Sequence, residues 1–188
     1  MKKIIIYISA SFFILLVAVY AIYPIWAFNK IPIEYLIGLC LERPESRFYP
    51  DGIEEFYMLN FRGTEKDIQR LKDGCGLCSI FAHKKDATEQ EIKYATFFIE
   101  KGYDVNSTDG VGLSALHHAA MNNQLKTASF LLSKGADSNI TAGYHSINGV
   151  DKRTKYTGKN AVEIAIYMSE IDGQDRSEII GLLSKQEE

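Results

Sequence analysis

Between Ser107 and Ile140 the chain reads STDGVGLSALHHAAMNNQLKTASFLLSKGADSNI, and this stretch decides the fold. Ser114 stands where a short hydroxyl can cap a helix and satisfy its orphan N–H groups. Behind it, Leu116, Ala119 and Ala120 form a narrow apolar face, small enough for a neighbouring helix to approach closely. Leu125, Ala128, Leu131 and Leu132 continue at helical spacing in a second helix. Gly135 supplies the left-handed residue that ends it. A helix pair of this kind cannot bury both of its faces alone, so the flanking chain must supply neighbours.

It does. Phe97-Phe98-Ile99-Glu100-Lys101-Gly102-Tyr103-Asp104-Val105-Asn106 repeats the ending Phe130-Leu131-Leu132-Ser133-Lys134-Gly135-Ala136-Asp137-Ser138-Asn139, with Gly102 and Gly135 33 residues apart. Downstream, Gly158-Lys159-Asn160-Ala161-Val162-Glu163-Ile164-Ala165 mirrors Gly112 to Ala119, and Ser177 to Lys185 forms a closing helix. Upstream, Gly76 to His83 aligns with the same segment, and Gly63 to Asp73 reads as the second helix of a half unit. The period of 33, the Ser-Ala-Leu-His-His-Ala form of the T-P-L-H-x-A signature and the Gly-Ala-Asp-x-Asn ending resemble ankyrin repeats. In the unit at 76–108 the signature has become Cys78-Ser79-Ile80-Phe81, which weakens the expectation of a first helix there.

The resemblance implies an all-α solenoid of helix–turn–helix repeats, with β-hairpin fingers projecting between them; the uncharged run ahead of it is read separately, below, as an N-terminal transmembrane helix. Its expected organisation is an anchor at 1–30, a linker at 31–52 and a repeat domain at 53–186, with repeats near 53–75, 76–108, 109–141 and 157–186. It also implies that the His117 ring bonds to neighbouring turns and holds the stack, with His118 at the variable position beside it. Such arrays bind protein partners and do not usually catalyse, so neither a catalytic residue nor a cofactor or metal is expected.

The 188 residues suffice for one domain of moderate size plus an attachment segment. A net charge of −3 argues against a nucleic-acid partner. Met1-Lys2-Lys3 precedes an uncharged run from Ile4 to Asn29, long enough to cross a hydrocarbon core with some tilt. Tyr20, Tyr23 and Trp26 lie at its far end, where aromatic side chains prefer the headgroup region. An uncleaved signal anchor fits better than a cleaved signal peptide, because Ile25 and Trp26 flank the small residue Ala27 badly. The expectation is a single-pass inner-membrane protein with its repeats in a bacterial periplasm, the alternative being a soluble periplasmic form after cleavage. Pro32, Pro44 and Pro50 break the linker, leaving room for a short amphipathic turn at Ile33 to Leu39. In the helix expected from Gly52 to Phe61, the residues Ile53, Phe56, Tyr57 and Phe61 face the core.

Cys75-Gly76-Leu77-Cys78 has the C-x-x-C spacing of redox and metal sites, but no second such pair and no nearby histidine pair completes four zinc ligands. In an oxidising compartment three cysteines allow one disulfide. A Cys40–Cys75 bridge would tether the linker to the first repeat. A Cys75–Cys78 bridge and a catalytic dithiol are the alternatives. There is no phosphate-cradling glycine loop, no G-x-S-x-G elbow and no H-E-x-x-H.

The most informative irregularity is an insertion. Leu116 and Val162 are 46 residues apart, where a regular array has 33. The excess of 13 falls in Ile140 to Thr157, ITAGYHSINGVDKRTKYT, where a finger projects. There Tyr144, His145, Lys152, Arg153, Lys155 and Tyr156 combine aromatic anchors with a cationic cluster suited to a binding hot spot. Thr108, Asp109, Val111 and Leu113 in the central finger, with Met121 and Asn122 at the end of its inner helix, complete the expected partner-binding set. Small exported bacterial proteins of this type resemble either an immunity protein that blocks a secreted toxin, such as a phospholipase, or a periplasmic scaffold for an oxidative-defence enzyme. A thiol–disulfide enzyme using Cys75 and Cys78 is the catalytic rival.

Overall fold

The computed structural model describes residues 23–41, 52–81, 86–147 and 150–185, with backbone alone at 23–25, 53, 145–147 and 150–152. The chain divides between Arg62 and Gly63 into two compact units.

The described part of the first unit holds three helices, α1 (Tyr23–Lys30), α2 (Ile33–Leu41) and α3 (Ile53–Phe61). Pro32, which has no N–H to donate, separates α1 from α2. The core gathers Ile33, Leu36, Ile37 and Met58, all at most 1% exposed. Phe28 packs on Tyr57 at 5.4 Å between ring centroids, and Tyr57 stacks on Phe61 at 5.2 Å. The Arg62 guanidinium donates to the carbonyls of Phe28 and Ile31, each at 3.0 Å, satisfying acceptors that the end of α1 leaves open.

Two expectations change here. The turn foreseen at Ile33 to Leu39 is a nine-residue helix, because Ile33, Leu36 and Ile37 recur at helical spacing and find a core. On α3, Tyr57 and Met58 turn inward, whereas Phe56 and Phe61 are 60% and 45% exposed. Among the described residues no helix is long and apolar enough to cross a membrane. Most of the expected span, residues 4–22, lies outside them.

The second unit runs α4 (Glu65–Asp73), a 3₁₀ turn (Gly76–Ser79), α5 (Glu89–Glu100), α6 (Ala115–Met121) and α7 (Leu125–Ser133). A two-stranded hairpin follows, β1 (His145–Ile147) and β2 (Val150–Lys152), and then α8 (Ala161–Asp172) and α9 (Ser177–Ser184). Local sequence explains the helix starts. Thr64 with Asp67, Thr88 with Glu91, Ser114 with His117 and Asn160 with Glu163 each form a reciprocal capping box. The endings are Asx turns: Asp104 accepts from Asn106 N–H and Asp137 from Asn139 N–H, each at 2.9 Å.

The helices stack as repeats. In the middle unit α6 packs on α7, and in the last unit α8 packs on α9. Between units, α6 lies against the 3₁₀ turn on one side and α8 on the other, while α7 lies against α9. Leu116, Ala119, Ala120, Ala128, Leu131, Ile164, Ala165, Ile179 and Leu183 are at most 1% exposed along these seams. The small residues on α6 and α8 permit the close approach that their spacing suggests. Asn106 bridges consecutive endings, donating to Gly135 O at 3.2 Å and accepting from Asp137 N–H at 2.9 Å.

The unit at 76–108 departs from the others. Its first element is the four-residue 3₁₀ turn, not a helix. Phe81 occupies the position of His117, so no side chain there can reach back to a cap; its ring is buried edge-on to Phe130 at 6.0 Å.

Candidate functional site

The expected partner-binding residues fall on two adjoining fingers and the end of one helix. The central finger is a tight turn from Thr108 to Ser114, closed by a bridge between those two residues. Its organiser is Asp109, whose Oδ1 accepts from the N–H groups of Val111 at 3.0 Å and Leu113 at 2.9 Å. Asp109 N–H in turn donates to Leu113 O at 2.9 Å. The other carboxylate oxygen accepts from His118 Nε2 at 2.7 Å. Burial pushes the Asp109 carboxyl up, but the His118 hydrogen bond and the Leu113 and Val111 N–H groups outweigh it and hold it below the ordinary carboxylate range.

His118 is thus half-buried and paired, where the sequence analysis gave it only the variable position beside His117. Leu113 is 5% exposed and belongs to the core, so it is withdrawn from the partner-binding set. The residue before a helix cap points inward here, as a hydrophobic staple does. Thr108 is exposed, Val111 half-buried, and Met121 and Asn122 half-buried and exposed at the end of α6.

His117 is 1% exposed. Its Nδ1 accepts from Ser114 N–H at 2.9 Å, and its Nε2 faces the Ile140 carbonyl at 2.9 Å. Nδ1 is therefore unprotonated and Nε2 carries the proton, a neutral ring that links the helix start to the next finger. Burial lowers its pKa. The imidazole holds structure and is not exposed to a substrate.

The inserted segment forms the second finger. Its strands pair antiparallel, with His145 opposite Lys152, Ser146 opposite Asp151 and Ile147 opposite Val150. The base is fixed at several points. Ala142 N–H donates to Lys159 O at 2.8 Å, and Gly158 N–H to Ala142 O at 2.8 Å. Gly143 N–H donates to Gly112 O at 2.7 Å, which joins this finger to the central one. Thr157 Oγ1 donates to Gly143 O at 3.2 Å.

Tyr144 is 49% exposed, and Arg153 and Lys155 are exposed. The side chains of His145 and Lys152 lie outside the described residues. Tyr156 is half-buried: its ring meets Tyr167 edge-on at 6.1 Å and its hydroxyl donates to Met168 Sδ at 3.6 Å. It seats the finger on α8 and is less available to a partner than Tyr144. The Lys155 ammonium lies 5.0 Å from the Tyr156 ring. Ile166, 43% exposed on α8, adds an apolar position that the sequence reading missed. The helical register of Ile164, Ala165 and Ile166 was the available signal, since three consecutive residues cannot all face one core.

Cys75 and Cys78 flank Gly76 and Leu77, Cys75 exposed and Cys78 half-buried. Cys78 N–H donates to Cys75 O at 3.2 Å, which closes the turn between the two cysteines. Burial, the neighbouring Cys75 and the Asp109 carboxylate all push the Cys78 thiol up. A thiol so placed lacks the lowered pKa of a catalytic cysteine.

A family model for ankyrin repeats, in three copies, matches residues 57–142 and 86–186, which together span more than half of the chain. Comparison with curated proteins and with solved structures yields no match. With the 33-residue period, the stacked helix pairs and the bridging His117 in place, the chain belongs to the ankyrin repeat family and is a protein–protein interaction module.

Proposed function

We propose that this chain is an exported, membrane-tethered binder that grips one protein partner chiefly with its enlarged finger. The observation that carries the reading is the β1–β2 hairpin, which stands on a base hydrogen-bonded at Ala142, Gly143 and Thr157. A finger fixed at its root loses little conformational freedom on binding, so more of its contact energy is available as affinity. Tyr144, Arg153 and Lys155 give it an exposed aromatic and two exposed cations, residue types that dominate hot spots or steer association.

Shortening the finger between Tyr144 and Lys155 while keeping Ala142, Gly143, Tyr156 and Thr157 tests this. Affinity for a partner recovered by affinity purification should fall about thirtyfold or more, the effect of losing one anchor of about 2 kcal/mol. The circular dichroism of the shortened chain should be unchanged. Unaltered affinity would move the interface to Thr108, Val111, Met121 and Asn122.

The lysine-led uncharged run at 4–29 supports export and tethering. A reporter active only outside the cytoplasm, fused after Lys185, should give signal in the membrane fraction; a silent fusion reverses the topology. The partner favoured on this reading is a secreted antibacterial toxin that the module neutralises, since a short anchored binder needs only one tight interface. Cells carrying the shortened finger should then lose protection against that toxin.

A further inference from the structure

The cysteine turn, the central finger and α6 converge on one point. The metal-ligating atoms of Cys78, Asp109 and His118 all lie within 4.8 Å of one another. Cys75, which starts the same 3₁₀ turn and whose carbonyl accepts from Cys78 N–H at 3.2 Å, brings a second thiol beside the group. We propose that Cys75, Cys78, Asp109 and His118 bind a single Zn²⁺ ion that clamps the cysteine turn of one repeat to the finger and inner helix of the next.

The donor chemistry selects the ion. Two thiolates, an imidazole and one carboxylate oxygen match a four-coordinate zinc site, whereas Mg²⁺ and Ca²⁺ take sets of oxygen ligands. Bonds of 2.0–2.3 Å to a tetrahedral centre place donor atoms about 3.3–3.8 Å apart. The three clustered donors need shifts of an ångström or so to reach that arrangement. The largest necessary opening is between Asp109 Oδ2 and His118 Nε2, now 2.7 Å apart around a shared proton. The ion takes the place of that proton, which passes to Nδ1 so that the imidazole stays neutral, and binding releases the two thiol protons.

The ligands are also held from behind, as metal ligands usually are. Asp109 keeps Oδ1 on the Val111 and Leu113 N–H groups, which leaves Oδ2 as the single coordinating oxygen. The 3₁₀ turn packs on α6, so Cys78 and His118 come from elements already in contact. Gly76, between the cysteines, has φ +61°, and a Cβ there would collide with the Tyr103 hydroxyl, so the turn is closely seated. Cys78 is partly buried while Cys75 is exposed, which provides both shielding and a path of entry.

A C-x-x-C pair alone did not carry this inference, because the histidine and carboxylate stand more than 30 residues away in sequence. Only the stacking of two repeats joins them. The proposal is independent of which protein the fingers bind.

The test uses the full-length chain, reduced and stripped of metal, titrated with Co²⁺ alone. Saturation at one equivalent should produce the intense visible bands of tetrahedral cobalt and a near-ultraviolet thiolate-to-cobalt absorption. Zn²⁺ should abolish both and raise the unfolding temperature. The variants Cys78→Ser and His118→Gln should each bind Co²⁺ at least about tenfold more weakly, since a lost ligand should cost no less than a lost outer-shell partner. A wild-type spectrum without sulfur charge transfer, or with the weak bands of six-coordinate cobalt, overturns the site whether or not the variants fold. So does unchanged affinity in a folded Cys75→Ser, Cys78→Ser double variant.

Discussion

Gly112 is the residue at which the two fingers meet. Its backbone has φ +78°, and a Cβ built there would lie 2.6 Å from the carbonyl carbon of Gly143. Gly135 has φ +89° but open space around its missing side chain. Gly135→Ala should therefore cost only the left-handed backbone penalty, about 1–2 kcal/mol. Gly112→Ala should add the cost of forcing the fingers apart, a further 1–3 kcal/mol or so. Urea unfolding of the two variants checks the difference, and equal losses would mean that the fingers yield freely. The role of His117 was legible because its bonds follow a signature of fixed spacing. The Asp109–His118 pair was not, since its nine-residue separation closes only when the finger folds back over the start of α6. Leu113 was misread for a related reason: fingers are exposed on average, but the position before a helix cap turns inward.

At the scale of the element, four helix starts could be read directly, because Thr64, Thr88, Ser114 and Asn160 stand three residues before a side chain that reaches back. The start of α7 could not. Gln124 makes no side-chain cap there. Its place is taken by Asp86, whose Oδ1 accepts from Lys126 N–H at 2.8 Å and Thr127 N–H at 3.2 Å. Thr127 Oγ1 accepts from Ala87 N–H at 3.1 Å, so the preceding repeat and α7 cap each other. Asp86→Ala should destabilise by about 1 kcal/mol, the usual value of an N-cap. Faster amide exchange at Lys126 and Thr127, with little change in α8, would place the loss where the geometry puts it; uniform acceleration would deny that Asp86 acts as a local cap. The short 3₁₀ turn at Gly76–Ser79 was partly foreseeable, since Phe81 removes the polar reach-back that a capped helix uses.

Over the whole molecule, stability in a stack of repeats is a sum of units and of the interfaces between neighbours. The last helix is a direct test, because α9 touches α7 and α8 and buries Ile179 and Leu183 completely. The linkage is reinforced by Arg176, 3% exposed, whose guanidinium binds Asp172 twice, at 2.6 and 2.8 Å, and donates to Met121 O at 3.0 Å. Ending the chain after Gln174 removes all of this. The two aliphatic side chains alone account for about 3–6 kcal/mol, a large part of a total near 5–15 kcal/mol. In a globular core such a loss would spread through the whole fold. Here α8 should loosen first, having lost one face, while α6 keeps the 3₁₀ turn and α7 as neighbours. Hydrogen exchange on the truncated chain should show protection falling steeply in Ala161–Asp172, less in Leu125–Ser133, which also loses α9 as a neighbour, and least in Ala115–Met121. If protection collapses equally in all three helices, the repeats unfold as one cooperative block, and the finger could not be altered without unsettling its neighbours.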